Sequence, residues 1–300
     1  MTVRGVLAPR CIWPAGAELG EGTLWSVREQ VLYWVDILGK QLHRCRADGS
    51  ERASWRFDEE ISALAECRGE SGLIVTLRRG FARFNPADPA SGAPPRYLHQ
   101  PAGEPASNRF NDGKCDARGR FWGGTMDFDC VAPTGHFHAY DASGRCVRHD
   151  LGFAVTNGPA WSDDGRTMFI NDTVNGQVFA WDFDADRGAL SNRRLWLRFA
   201  PDDGLPDGMT LDAQGRLWIA HWGGRCVTAH DVSDAKELQR LSLPVSQVTN
   251  VAFGGPDLRT LFVSSARVGL TAAQLETEPL AGGLFAFEMQ VPGLPAPLFG

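Results

Sequence analysis

Six stretches of this chain repeat one plan, and that repeat limits the fold more than any other feature. CDARGRFWGGT (115–125), SDDGRTMFIND (162–172), LDAQGRLWIAH (211–221) and GPDLRTLFVSS (255–265) each run from Asp through a turn into an apolar, aromatic strand. VREQVLYWVDI (27–37) follows the plan, and GESGLIVTLRR (69–79) follows it more loosely. The central apolar residues are Tyr33, Ile74, Phe121, Phe169, Leu217 and Phe262, at steps of 41, 47, 48, 48 and 45 residues. A further strand ending in a polar turn follows each one. Short strands at this period, with Gly and Asp turns, predict propeller blades. The 34 Gly and 10 Trp of the composition suit tight turns and aromatic strands.

Six repeats predict an all-β, six-bladed β-propeller of four strands per blade, forming one domain over residues 1–300. Residues 11–16 (CIWPAG) precede the first repeat and are expected to supply the strand that closes the ring. Only AAQLETE (272–278) has the pattern of a helical turn, and ADPASGAPP (87–95) reads as a loop. Thirty basic against 36 acidic residues give a net charge of −6, which argues against a broad nucleic-acid footprint. No apolar run approaches the ~20 residues of a membrane helix, and the start of the chain does not read as a signal peptide. Seven Cys without a CxxC pair fit a reducing cytoplasm better than a disulfide framework.

The repeat also aligns polar residues. Counting eight back from each turn, at Glu29, Gly119, Gly165, Gly215 and Leu258, lands on Glu21, Asn111, Asn157, Asp207 and Asn250. Positions equivalent by repeat lie at equivalent points around the propeller axis, so these side chains are expected to converge at one end of the central channel. Two carboxylates and several carboxamides are hard oxygen donors, suited to a divalent cation. Asn and Asp before Gly are also common turn formers, but five in one register point beyond turn chemistry.

LGEGTLW, RFNDGKCDARGRFWGGTMD, VTNGPAWSDDGRTMFINDT and PDGMTLDAQGRLWIAHWGG resemble the SMP-30/gluconolactonase/regucalcin family over residues 18–290. The ending resembles the bacterial sugar-acid lactonases within it, of xylonolactonase or arabinolactonase type. The resemblance implies a six-bladed propeller and one divalent ion (Ca²⁺, Mg²⁺, Mn²⁺, Fe²⁺ or Zn²⁺) held by Glu21, Asn157 and Asp207. It implies substrate contacts from Arg109 and Asn111 and from an acidic residue after GTM, where Asp127 and Asp129 both stand and Asp129 is favoured. One departure is Thr23, where the family pattern has proline.

The implied activity is metal-dependent hydrolysis of a sugar-acid lactone to the aldonic acid, with a small sugar lactone as partner and Asp207 also as the base. A broader esterase or phosphotriesterase, and a non-catalytic calcium-binding propeller, are the competing readings. GxSxG is absent, which disfavours a serine hydrolase. His136-x-His138 is a candidate zinc pair without a visible third ligand. His221 is a candidate for the channel mouth, Trp222 for a pocket wall, and Cys115 reads as a buried apolar residue rather than a nucleophile.

Overall fold

The structure, a computed structural model, describes residues 8–69, 71–88 and 95–300. Its strands fall into six antiparallel sheets of four. The first blade holds β2 (Gly20–Ser26), β3 (Val31–Asp36), β4 (Gln41–Cys45) and β5 (Ala53–Arg56). The second holds β6 (Ile61–Glu66), β7 (Leu73–Leu77), β8 (Gly80–Phe84) and β9 (Arg96–His99). The third holds β10 (Asn108–Cys115), β11 (Phe121–Asp127), β12 (Gly135–Tyr140) and β13 (Cys146–Phe153). The fourth holds β14 (Thr156–Trp161), β15 (Thr167–Asp172), β16 (Gln177–Asp184) and β17 (Ala189–Arg198). The fifth holds β18 (Leu205–Leu211), β19 (Arg216–Trp222), β20 (Cys226–Asp231) and β21 (Glu237–Ser242).

The sixth blade joins both ends of the chain. It holds β22 (Val248–Gly254), β23 (Thr260–Ser265) and β24 (Leu284–Glu288), with β1 (Arg10–Trp13) as its outermost strand. β1 pairs antiparallel with β24, Arg10 opposite Ala286 and Trp13 opposite Leu284. The expected closing strand is therefore present, centred slightly earlier than 11–16. The expected helical turn is α1 (Ala272–Thr277), capped by Thr271, whose hydroxyl accepts from the Gln274 amide. The loop expected at 87–95 falls mostly outside the described residues.

Each neighbouring pair of blades traps its own apolar cluster. Tyr33 and Val35 meet Leu64 and Val75, Ile74 and Phe81 meet Phe110 and Phe121, and Trp122 and Phe137 meet Met168 and Ile170. Phe169 and Val178 meet Leu217 and Ile219, Trp218 and Val227 meet Val251 and Val263, and Phe262 and Leu284 meet Leu32 and Trp34. A sheet covered on both faces needs apolar residues on both, so the second strands read as nearly continuous hydrophobic runs rather than alternating ones.

The Asp of the repeated word is structural. Asp116 Oδ1 accepts from the Arg118 and Arg120 amides, while Oδ2 accepts from Arg120 Nε at 2.6 Å and Trp122 Nε1 at 2.8 Å. Asp212 repeats this with Gln214, Arg216 and Trp218, with the same two side-chain distances. One buried carboxylate thus closes the turn, satisfies an indole and neutralises an arginine, which explains the DxxGRxW spelling.

Candidate functional site

The innermost strands β2, β6, β10, β14, β18 and β22 touch their neighbours in a closed ring. All six carry one extra residue at the same height, with register shifts at Glu21/Leu24, Ile61/Ala63, Phe110/Gly113, Asn157/Ala160, Pro206/Met209 and Val248/Val251. Such bulges re-aim side chains. Here they occur where the eight-back count placed the polar ring. Gly22 takes φ +57°, and an added Cβ there would stand 2.9 Å from the Ser62 carbonyl. Only glycine permits both the left-handed backbone and that approach. Blade two, which the count skipped, contributes Ser62, whose hydroxyl is engaged within its own blade by the Thr76 hydroxyl at 2.9 Å.

Three of the predicted residues, Arg109, Asn111 and Asn157, meet by direct contacts. Arg109 donates to Asn111 Oδ1 at 2.7 Å, and Asn111 Nδ2 donates to Asn157 Oδ1 at 2.9 Å. Asn157 turns its own Nδ2 away, to the Thr173 hydroxyl at 3.0 Å, leaving its oxygen toward the ring. Asn171 Nδ2 donates to the Asp207 main-chain carbonyl, and Asp207 Oδ1 is buried without a hydrogen-bond partner. Glu21 and Asp207 are each 4% exposed.

Burial dominates the electrostatics. It pushes Glu21 up to about 8, helped by the nearby Asp112 charge. It raises Asp207 too, helped by Glu21 and then Asp112. Carboxylates so enclosed disfavour sharing negative charge without a cation. Two acidic groups, an orphan carboxylate oxygen and an inward-facing amide oxygen make an all-oxygen set that fits a hard divalent ion. No cluster of three His, Cys, Asp or Glu side chains among the described residues is arranged to hold a metal, so the fit depends on the amide of Asn157.

Two charged groups, buried Asp112 and half-buried Lys114, escaped the sequence count. Asp112, 3% exposed, accepts from the Gly113 amide at 2.7 Å and the Gly158 amide at 3.1 Å, tying blades three and four. Lys114 Nζ donates to the Met209 carbonyl, and burial lowers its pKa against the pull of Asp112 and Glu21. Both belong to the NDGK word. The count selected one residue per blade, whereas the bulge presents two. They line a channel cavity of about 270 Å³, which is bordered also by Trp25, Met209 and Leu294.

The rim separates the two acidic candidates after GTM. Asp127 is buried, and its Oδ2 accepts from the Val131 and Ala132 amides at 3.0 and 2.9 Å, so it anchors its own loop. Those two amides, Ala132 first, hold its carboxyl below the usual range. Asp129 is exposed at the loop's crest. Beside it Phe128 lies 5.9 Å from the Arg109 guanidinium and 5.3 Å from that of Arg78, which faces Glu60 at 3.6 Å.

Other candidates resolve into structure. His138 Nε2 meets Glu104 at 2.8 Å, and His136 lies between Asp150 at 2.9 Å and Arg148 at 2.7 Å. The two imidazoles therefore have separate partners rather than a shared ion. His221 does not reach the mouth: it is fully buried, with its nitrogens at Thr228 Oγ1 (2.6 Å) and the Asp203 carbonyl (3.0 Å). Trp222 is half-buried and packs on the cluster containing Leu19, Ile37 and Ala266. Cys115 is buried, and burial pushes its thiol well above the usual range, so it is no nucleophile.

Comparison with known proteins gives a consistent result. Residues 19–267 match the family described as SMP-30/Gluconolactonase/LRE-like region. The chain is 37% identical to the 6-deoxy-6-sulfogluconolactonase of Pseudomonas putida, over 97% of this chain and 98% of that one. It is also 37% identical to the L-arabinolactonase of Azospirillum brasilense, over 92% and 90% of the two chains. Among solved structures, a calcium-binding regucalcin from Agrobacterium tumefaciens superposes with a TM-score of 0.89 at 26% identity, covering 98% of both chains.

Proposed function

The chain belongs to the SMP-30/gluconolactonase/LRE-like family and is a lactonase, and we propose that it opens a sugar-acid lactone to the aldonic acid with a divalent cation. Glu21, Asn157 and Asp207 would hold the ion. The observation that carries this reading is the buried Glu21–Asp207 pair with an unpartnered Asp207 oxygen. The bound ion supplies Lewis-acid polarisation of the lactone carbonyl.

The chain's own residues supply the rest. Asp207 takes a proton from the attacking water and returns it to the ring oxygen as the carbonyl carbon–oxygen bond breaks. Asn111, braced between Arg109 and Asn157, keeps the donor array in place. The remaining Arg109 donors and the exposed Asp129 are suited to sugar hydroxyls, which both donate and accept. Seven cysteines without a disulfide among the described residues suit a reducing compartment, the cytoplasm.

A panel of aldonolactones, assayed by base uptake near neutral pH on cation-stripped and reloaded protein, tests this. Turnover should vanish on stripping and return on reloading. Full turnover by stripped protein would overturn the metal dependence. Turnover of esters or phosphotriesters without any lactone would favour the broader hydrolase, and cation binding without turnover would favour a binding protein.

A further inference from the structure

We infer that Gln247 is a specificity-determining residue: its side-chain amide, beside Trp222 and Gly269 on the rim of blade six, reads a hydroxyl of the lactone from the side opposite Arg109. The inference rests on the sugar-lactone reading above and adds to it a residue that stands outside the repeated register.

The inner strands form a closed ring, so blade six stands three blades round from blade three, which carries Arg109, Asn111 and Asp129. The proposed ligands Glu21, Asn157 and Asp207 come from blades one, four and five, and blade two turns its Ser62 hydroxyl to Thr76. Blade six is the wall still without a role. Gln247 directly precedes β22, and its carbonyl accepts from the Ala266 amide at 2.9 Å. Ala266 in turn pairs with Leu19, two residues before Glu21. Trp222 pairs with Gln247 on one side and with Leu205, two residues before Asp207, on the other. Gln247 therefore stands at the carboxylate end of the channel, between the strands that bring Glu21 and Asp207.

Its side chain is enclosed there without a partner. Gln247 is 9% exposed, and its Oε1 is buried with no hydrogen bond. Such an oxygen costs stability unless something outside the fold uses the amide. The nitrogen end lies beside Gly269, which is exposed and takes φ +81°, a backbone that favours glycine. The point where a Cβ would stand on Gly269 has two heavy atoms within 4 Å beyond its chain neighbours. They are Gln247 Nε2 at 3.7 Å and an edge carbon of Trp222 at 4.0 Å. An open notch is thus walled by an amide and an indole. Trp222 is fixed by packing on Leu19, Ile37 and Ala266, so the notch keeps its shape. Across the mouth, Arg109 and Asp129 are charged. Gln247 is neutral and both donates and accepts, which suits a hydroxyl rather than a carboxylate, with the indole against the sugar's C–H groups.

Steady-state kinetics of Gln247→Met test this, with melting curves on the same samples. The substrates are D-glucono-δ-lactone and L-arabinono-γ-lactone, against δ-valerolactone and γ-butyrolactone as the same rings without hydroxyls. Methionine keeps the length of the side chain and removes both polar atoms. For the better sugar lactone, kcat/KM should fall about tenfold, chiefly through KM, with the bare lactones within about twofold of wild type. The melting temperature should hold or rise, because an unpartnered buried oxygen is gone. Unchanged kcat/KM on the sugar lactone, or an equal loss on sugar and bare lactones, would overturn the inference. If the wild type opens no bare lactone, the split decides: a loss in KM supports it, and a loss confined to kcat overturns it. Should Gln247→Met not fold, Gln247→Asn withdraws the amide by one methylene, and the same selective loss supports the inference while wild-type kinetics overturn it. A wild type that opens no sugar lactone overturns the sugar-lactone reading and this inference together, whereas sugar-lactone turnover that ignores Gln247→Met overturns the inference alone.

Discussion

At Asp207 one substitution separates coordination from proton transfer. An amide oxygen can still bind a cation, so if Asp207 were a ligand alone, Asp207→Asn would regain most activity in excess metal. An amide cannot accept a proton from water at neutral pH. Loss of a general base typically costs ~10²–10⁴-fold in rate. We expect a kcat loss of that order in Asp207→Asn that persists at saturating cation, read from steady-state kinetics across a metal titration. A near-native kcat under those conditions would remove Asp207 as the base. The unpartnered Oδ1 is the group this experiment addresses. Around it, the residue chemistry was only partly legible in the chain. Repeat position located Asn111, Asn157 and Asn250 together, but it could not tell which way each amide turns. That depends on Arg109, Thr173 and Thr23, which hydrogen-bond to them from outside the counted register.

Among the elements, β1 is the most consequential for stability. It covers β24 and contributes Ile12, which is buried with Trp34, Phe262 and Leu284, and the flanking Trp13. Trp13 meets Trp34 edge-on at 5.4 Å. Burying two such side chains contributes roughly 3–6 kcal/mol. Deleting residues 1–16 should therefore lower the melting temperature by about 10 °C or more. An unchanged melting curve would show that the ring does not depend on this strand. Strand order was readable because each blade repeats its own turn chemistry, with Asp116 and Asp212 pinning the same Arg and Trp offsets. The bulges were not readable. An extra residue in a strand leaves no periodic mark in a run buried on both faces, so Asp112 and Lys114 appeared only as neighbours in a motif.

For the whole molecule, the acid side of the stability profile belongs to histidines embedded between strands. Burial lowers His43, His149 and His221 from 6.5 to about 4 each. The native state thus binds fewer protons than the unfolded chain between those values. Their contribution is present above about pH 6.5 and lost as pH falls toward 4. Each shift corresponds to roughly 3 kcal/mol. Glu21 and Asp207, whose pKa values burial raises, act in the opposite sense over the same window, so the imidazole contribution is read as a difference. The urea midpoint of the wild type relative to His43→Gln should fall between pH 7 and pH 4.5, and a difference that stays constant would contradict the burial argument.

The sixth blade also sets a timetable. A ribosome releases β1 before every other described strand and β24 after them, yet the two are partners in one sheet. Blades one to five can pair as they emerge, while β1 waits unpaired until residue 288 is clear of the exit tunnel. Glu21 and Asp207, in blades one and five, face each other across the gap that this final docking seals. A nascent chain stalled before β24 should therefore lack the assembled ring, and the enzyme becomes competent only once the sixth blade has emerged rather than blade by blade.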